Sequence, residues 1–278
     1  EQILPDQLHI LNVSFLVPAL RRDFGGCAGN IAYALKQLGG SPLPMATVGM
    51  DGGTYLDRLK SQGIATEFVR TMEDSYTAQA MIITDRDNNQ INGFHPGAMD
   101  FAHLTTISAR SDIKLGIIAP DSRDGMLQHA DQFAAAKIPF VFDPGQQLPR
   151  FDGEELRAFI GQATWVTVND YEGKMLSDRT GWSSAEISKH VDGLVVTLGA
   201  QGCEVWVEGE MSLVAPVRAV NVVDPTGCGD AFRGALLFGL EQGWSLSRCA
   251  ALGNHLGALK IAHRGPQGYA VDLKLTGL

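Results

Sequence analysis

A chain of 278 residues with 45% hydrophobic and 19% charged side chains carries enough apolar surface for a large core, which argues against a disordered chain. The net charge of -9, with no Lys/Arg run to offset it locally, argues against nucleic acid and anionic lipid as partners. Cys27, Cys203, Cys228 and Cys249 lie far apart without a C-x-x-C pair, and no apolar run approaches the roughly 20 residues of a membrane span, so a soluble cytoplasmic protein with reduced thiols is expected.

The chain starts at Glu1 rather than Met and shows no clear strand before Leu8, so part of a native N-terminus is expected to lie outside this numbering. Ile31, Ala34, Leu35 and Leu38 recur at helical spacing after a glycine-rich loop, and Gly39-Gly40 can stop that helix. Residues 55–62 read as a second helix closed by Gly63. Residues 78–84 and 90–94 flank the polar turn 85–89 and read as a β-hairpin. From Leu115 onward the pattern changes to continuous apolar runs at 115–119, 140–143, 165–168 and 195–198, separated by helical stretches such as 125–136 and 171–180. Strands without alternation are buried on both faces, which predicts a parallel sheet covered by helices. Right-handed crossovers then put the βα loops, and any ligand, at the carboxyl edge of the sheet. Cys249 to Ile261 reads as a late apolar helix. No repeat, low-complexity tract or linker divides the chain.

The segment Asp224-Pro225-Thr226-Gly227-Cys228-Gly229-Asp230 turns from a loop into an apolar helix running through Leu240, with Gly243 as its stop. Ala231, Ala235 and Gly239 form one small row, and Phe232, Leu236 and Leu240 another, consistent with close packing. Small residues also let the amides of Gly227, Cys228 and Gly229 face open space at a helix N-terminus, where an anion is favoured. Asp230 either caps the helix or, kept ionised by the dipole, accepts a proton from a substrate hydroxyl. Phosphoryl transfer asks a protein for positioning, charge stabilisation and such a base.

This segment resembles the D-[TP]-T-G-A-G-D signature of the ribokinase-like (PfkB) carbohydrate and nucleoside kinases, with Cys228 standing where Ala is usual. The resemblance implies that Asp230 is the general base and that the backbone of Gly227, Cys228 and Gly229 is the anion hole for the transferred phosphoryl group. Gly25-Gly26-Cys27-Ala28-Gly29-Asn30 is similar to the family's G-G-x-x-x-N loop, which implies that Gly25, Gly26 and Asn30 bind the substrate hydroxyls. Asn169-Asp170-Tyr171-Glu172 resembles its N-x-x-E motif, which implies a nucleotide role for Asn169 and a magnesium ion held by Glu172 through water. Thr197, Gly199 and Gly202, in a stretch similar to T-L-G-x-x-G, would line ATP, and Asn254, beside His255, would border the adenine. The family further implies a monovalent cation such as K+ near Asp224.

The implied fold is an α/β, three-layer α/β/α sandwich with a mostly parallel central sheet, a single domain over 1–278 with a small β-sheet lid from residues within 8–24 and 78–99. The implied activity is ATP-dependent phosphorylation of a hydroxymethyl group on a nucleoside or sugar, by a monomer or homodimer. Two departures stand out: no early strand carrying a substrate-binding Asp, and a short segment after Tyr269. Phe15, Phe24, Phe94, His95 and Met99 would suit a wall for a nucleobase, in the manner of bacterial adenosine kinase-like members. Asn12, Asn30 and Gln79 would suit a fructose or ribose acceptor instead. A dinucleotide oxidoreductase fits poorly, because Gly234 rather than the third residue after Gly229 is the next glycine, and no P-loop occurs. A non-catalytic sensor on the same fold would have no need of Asp230.

Overall fold

The computed structural model describes residues 16–84, 90–107 and 112–272. The four apolar runs become β5 (Gly116–Ile118), β6 (Phe140–Phe142), β7 (Trp165–Asn169) and β8 (Gly193–Thr197), paired in parallel. The antiparallel strands β9 (Cys203–Val207) and β10 (Glu210–Val214) extend the sheet to six strands in the order β10-β9-β8-β7-β6-β5. Continuous apolar sequence follows from two covered faces. Ile118, Phe142, Val166 and Val168 join a core built with α3 (Arg123–Ala136), α4 (Gly153–Gln162) and α5 (Asp170–Thr180). Val141, Val195 and Val205 join another with α1 (Cys27–Gln37), α7 (Cys228–Glu241) and α8 (Leu246–Ile261). The Phe142 and Phe159 rings stack 4.4 Å apart in the first of these layers.

α1 begins at Cys27, ahead of the first periodic residue Ile31, because Gly26, at φ 86°, turns the chain directly into it. α1 and α7 approach so closely that a Cβ on Gly234 would fall 2.5 Å from the Ala34 Cβ and 3.0 Å from the Ile31 carbonyl oxygen. That contact brings the Gly25–Asn30 loop against the start of α7. Beside β5 the sheet opens into an apolar cavity of about 620 Å³, lined by Leu35, Leu115, Ile117, Phe133 and Leu237 among others.

Three features lie outside the sequence expectations. α4 starts on a capping box in which Asp152 Oδ1 accepts from the amides of Glu154 and Glu155, both at 2.9 Å. The short helix α6 (Ser184–Ile187) is capped in the same way by Ser183. β1 (Ala46–Gly49) and β2 (Val69–Met72) pair in parallel as a separate two-stranded sheet, with α2 (Gly53–Ser61) between them.

The hairpin β3 (Gln79–Thr84) and β4 (Gln90–His95) forms as predicted, in register Gln79 to His95, and its turn 85–89 lies outside the described residues. Met81, Ile82, Ile83, Ile91 and Phe94 are exposed on it. The other expected part of the lid differs: residues 8–15 lie outside the described residues, and 16–24 contain no strand, with Leu16 and Leu20 exposed. Among the described residues no helix is long and apolar enough to cross a membrane.

Candidate active site

Two segments 200 residues apart meet at the N-terminus of α7, where Asn30 Nδ2 donates to Asp230 Oδ2 at 2.8 Å. Asn30 is buried inside α1, and Asp230 is half-buried in the first turn of α7. The orientation of this contact is set from a distance. Arg58 of α2 donates through Nε to Gln267 Oε1 (3.2 Å) and through Nη2 to the Gln267 carbonyl (3.0 Å). A guanidinium has only donors, so Gln267 must turn its oxygen toward Arg58 and its Nε2 away. That Nε2 donates to Asn30 Oδ1 at 3.0 Å, which leaves the Asn30 amino group to face Asp230. A cation at one end thus orders two amides so that the carboxylate at the other end receives a donor.

Tyr55, one turn before Arg58, braces the glycine loop by donating its hydroxyl to the Gly25 carbonyl at 2.6 Å while accepting from Gln267 Nε2 at 3.1 Å. Gly29 is required there, since a Cβ would fall 1.8 Å from the Tyr55 hydroxyl. Phe24 stacks on Tyr55 at 5.2 Å and lies under Arg58. Of the residues expected to form an aromatic wall, Phe24 is committed to Tyr55, Phe94 is exposed on the hairpin beside His95, and Phe15 lies outside the described residues, as does Asn12 of the expected sugar-binding set. Gln79 donates to Asp51 at 3.3 Å.

At Asp230 burial works against the helix dipole that the sequence suggests. Burial pushes its carboxyl above the ordinary carboxylate value, opposed by the Asn30 hydrogen bond and the Arg233 charge, with Asp143 adding to the rise. Burial, reinforced by Asp230 and Asp143, likewise pushes the neighbouring Cys27 thiol well up. Cys27 is therefore a neutral neighbour and a poor nucleophile.

Gly227, at φ 81°, is the N-cap of α7 in a left-handed conformation that suits glycine, and a Cβ there would fall 2.6 Å from the Pro266 Cβ. The amides of Gly227, Gly229 and Asp230 have no hydrogen-bond partner among the described residues. Cys228 differs from its expected place in this set. Its N–H is drawn into a tight first turn and donates to the Pro225 carbonyl at 3.2 Å. Anion binding would therefore fall to the three neighbouring amides.

One turn beyond Asp230, Arg233 is buried and forms a bidentate pair with Asp143, Nε to Oδ2 at 2.6 Å and Nη2 to Oδ1 at 2.8 Å. Its Nη2 also lies 3.9 Å from Glu172 Oε2. The sequence reading misses both residues. The signals are present: Asp143 ends an apolar strand, and Arg233 follows Asp230 at helical spacing on the same face.

The expected nucleotide residues lie at the carboxyl ends of β7 and β8, where Asn169 and Thr197 are paired in register. Asn169 and Glu172 form a capping box at α5, with Asn169 Oδ1 accepting the Glu172 amide and Glu172 Oε2 accepting the Asn169 amide, both at 2.8 Å. Burial raises the Glu172 carboxyl against that backbone donor. Gly199 (φ 56°) and Gly202 (φ 90°) shape the following turn, and a Cβ on Gly202 would sit 2.2 Å from the Val214 carbonyl oxygen. Asn254 is tied down, its Nδ2 donating to the carbonyls of Ala215 (2.9 Å) and Val214 (3.4 Å), so its amide braces the loop after β10.

Asp224, where a monovalent cation is expected nearby, accepts hydrogen bonds on both carboxylate oxygens and on its carbonyl. Oδ1 accepts the Thr226 amide at 2.9 Å, Oδ2 accepts the Gly265 amide at 2.9 Å with Arg21 at 3.4 Å, and its main-chain oxygen accepts from Lys260 Nζ at 2.6 Å. Burial opposes ionisation, but these amides and the Lys260 charge prevail and hold the carboxyl down at about 2. No group of three or more His, Cys, Asp or Glu side chains among the described residues is placed to hold a metal by itself.

Comparison with known proteins agrees with this architecture. The model of the pfkB family carbohydrate kinases matches residues 4–272. A nucleoside kinase of Methanocaldococcus jannaschii is 29% identical over 259 residues, covering 92% of this chain and 85% of its own length. A ribokinase of Mus musculus is 27% identical, covering 91% and 84%. The structure of Burkholderia thailandensis nucleoside kinase in complex with inosine is 52% identical at a TM-score of 0.89, covering 96% of this chain and 88% of that one, and the same protein has been solved in complex with ADP-inosine. The fold is the ribokinase fold of these neighbours. A six-stranded, mostly parallel sheet with its helix-borne Asp, together with a family match over nearly the whole length, shows that this chain belongs to the pfkB family and is a carbohydrate or nucleoside kinase.

Proposed function

We propose that the protein transfers the terminal phosphoryl group of ATP to the hydroxymethyl group of a purine nucleoside, with Asp230 as general base. The observation that carries this reading is the meeting of Asn30 and Asp230 beside three unpartnered helix-terminal amides. A nucleoside held by the Gly25, Gly26 and Asn30 loop would present its hydroxyl to the carboxylate, while the amides of Gly227, Gly229 and Asp230 stabilise the charge gathering on the transferred oxygens. The acceptor class is supported by the likeness to a B. thailandensis nucleoside kinase solved with inosine. ATP fits the edge formed by Asn169, Thr197, Gly199 and Gly202.

Magnesium keeps most of its waters and takes few protein carboxylates in kinases. Here Glu172 would serve it through water, since both Asp143 oxygens are held by Arg233. The ion would supply charge neutralisation on the phosphates when bound.

The test is ATP consumption with adenosine, inosine, ribose and fructose in parallel. Turnover with adenosine or inosine well above either free sugar is expected. Preference for a sugar would contradict the nucleoside assignment, and no turnover with any acceptor would favour a sensor.

Burial of Asp230 sets a pH dependence. Its base form is lost, as pH falls, at a higher pH than an exposed carboxylate near about 3.9, so the acid limb of kcat/KM should lie above the ordinary carboxylate range. Gln267→Leu frees the Asn30 amide to turn, weakens its donation to Asp230 and is expected to move that limb higher still. An unchanged limb in this variant would show that Gln267 does not orient Asn30.

A further inference from the structure

We propose that the Lys260 ammonium is a built-in monovalent cation, holding the loop that carries Gly227 and Gly229 with a covalently attached charge in the place of a bound potassium ion. Lys260 is 0% exposed and lies in the last turn of α8, where helix carbonyls gather partial negative charge. Its Nζ donates to the Asp224 carbonyl at 2.6 Å and the His263 carbonyl at 3.2 Å, and no carboxylate oxygen lies within ion-pair distance of it among the described residues. A buried charge with carbonyl oxygens for its partners is the ligand environment of a monovalent ion rather than of a salt bridge.

The two carbonyls belong to two loops that Lys260 joins. One is the approach to α7, and the other follows α8. The same loops are stitched by the amides of Val223 and Asp224, which donate to the Ile261 carbonyl at 2.8 and 3.1 Å, and by the Gly265 amide on Asp224. Pro266 of the second loop lies directly against Gly227, so this loop is the floor on which the left-handed turn at Gly227 rests. Removing the ammonium would leave two inward carbonyls without a donor and a hole of single positive charge beside an ionised Asp224. Potassium or ammonium, similar to Nζ in charge and size, would suit that hole, whereas a bulky organic cation would not. Lys260 is a positioning residue here, since it acts on the phosphoryl cradle through Asp224 and Gly227.

The experiment compares the parent chain and Lys260→Ala in potassium, ammonium and choline chlorides at equal ionic strength, by melting temperature and by turnover. The parent is expected to give the same melting temperature and rate in all three salts. Lys260→Ala is expected to melt lower and turn over at least about tenfold slower in choline, and to recover both in potassium or ammonium. Stimulation of the parent by potassium would overturn the proposal without any variant. A variant equal to the parent in choline, or one whose defect potassium does not relieve, would overturn it as well. If Lys260→Ala fails to fold in choline, return of a cooperative melt in potassium supports the proposal and its absence refutes it. The role assigned to the cradle rests on the reading of Gly227 and Gly229 under Proposed function, and the melting data separate the two: an active Asp230→Asn would remove the catalytic reading while the salt-dependent melts still decide what Lys260 replaces.

Discussion

Asp230→Asn is expected to lower turnover by at least about 10²-fold, with ATP affinity and melting temperature close to those of the parent. The substitution keeps the side-chain shape and an oxygen to accept the Asn30 amide, so the Asn30 contact at 2.8 Å has no reason to open. What it removes is the ability to take a proton from the acceptor hydroxyl as the phosphoryl group departs. Because the amides of Gly227 and Gly229 are untouched, residual transfer from charge stabilisation and positioning should survive. Steady-state kinetics with a saturating acceptor, together with a binding measurement for ATP, check this. Full turnover in the variant would take Asp230 out of the mechanism.

Arg233→Met should cost stability more than any single change at the rim of the site, by about 3–5 kcal/mol in urea unfolding. Arg233 and Asp143 are both almost fully buried, and their bidentate pair satisfies both carboxylate oxygens. Truncating the cation leaves Asp143 as an uncompensated charge between β6 and α7. The ion pair itself is weak evidence of net stabilisation, so Asp143→Leu combined with Arg233→Met should recover much of the loss. A single Arg233→Met variant as stable as the parent would mean that water reaches Asp143. Loss of Arg233 also removes a positive charge that helps to ionise Asp230, so its residual activity should fall away at a higher pH than that of the parent.

Local signals in the chain foretell the scaffold well. Unbroken apolar runs at 140–143 and 165–168 specify doubly covered strands, and both appear as β6 and β7 with every interior residue buried. The glycine-rich turn into α7 is equally legible, because a left-handed Gly227 before a small-residue helix leaves few alternatives. Contacts between distant segments are another matter. Nothing at Gln267 or Arg58 announces that the pair will order Asn30, since the contact between Gln267 and Asn30 spans 237 positions and depends on how α2 packs beside α1. Asp143 and Arg233 leave a local trace, a charge closing an apolar strand and a charge one turn after Asp230, but their pairing spans 90 positions and shows only when the sheet and α7 close over them.

Composition and motif also misjudge electrostatics. The dipole argument for Asp230 treats the helix terminus as if it were exposed, whereas burial against α1 is the largest influence on its carboxyl and raises it, with the Asn30 hydrogen bond and the Arg233 charge opposing. Asp224 differs the other way: a carboxylate that looks free to bind a cation accepts an amide on each oxygen, while a lysine some 36 positions away occupies its carbonyl. Asn254 likewise spends its amide on the loop after β10.

The most direct test of a shared cavity for base and cradle is a crystal structure of the protein with inosine and a non-hydrolysable ATP analogue. The acceptor hydroxymethyl oxygen should lie within about 2.6–3.2 Å of an Asp230 carboxylate oxygen, with the terminal phosphoryl group against the amides of Gly227 and Gly229. A nucleoside bound elsewhere, with the Asp230 carboxylate out of reach of both ligands, would contradict the assignment.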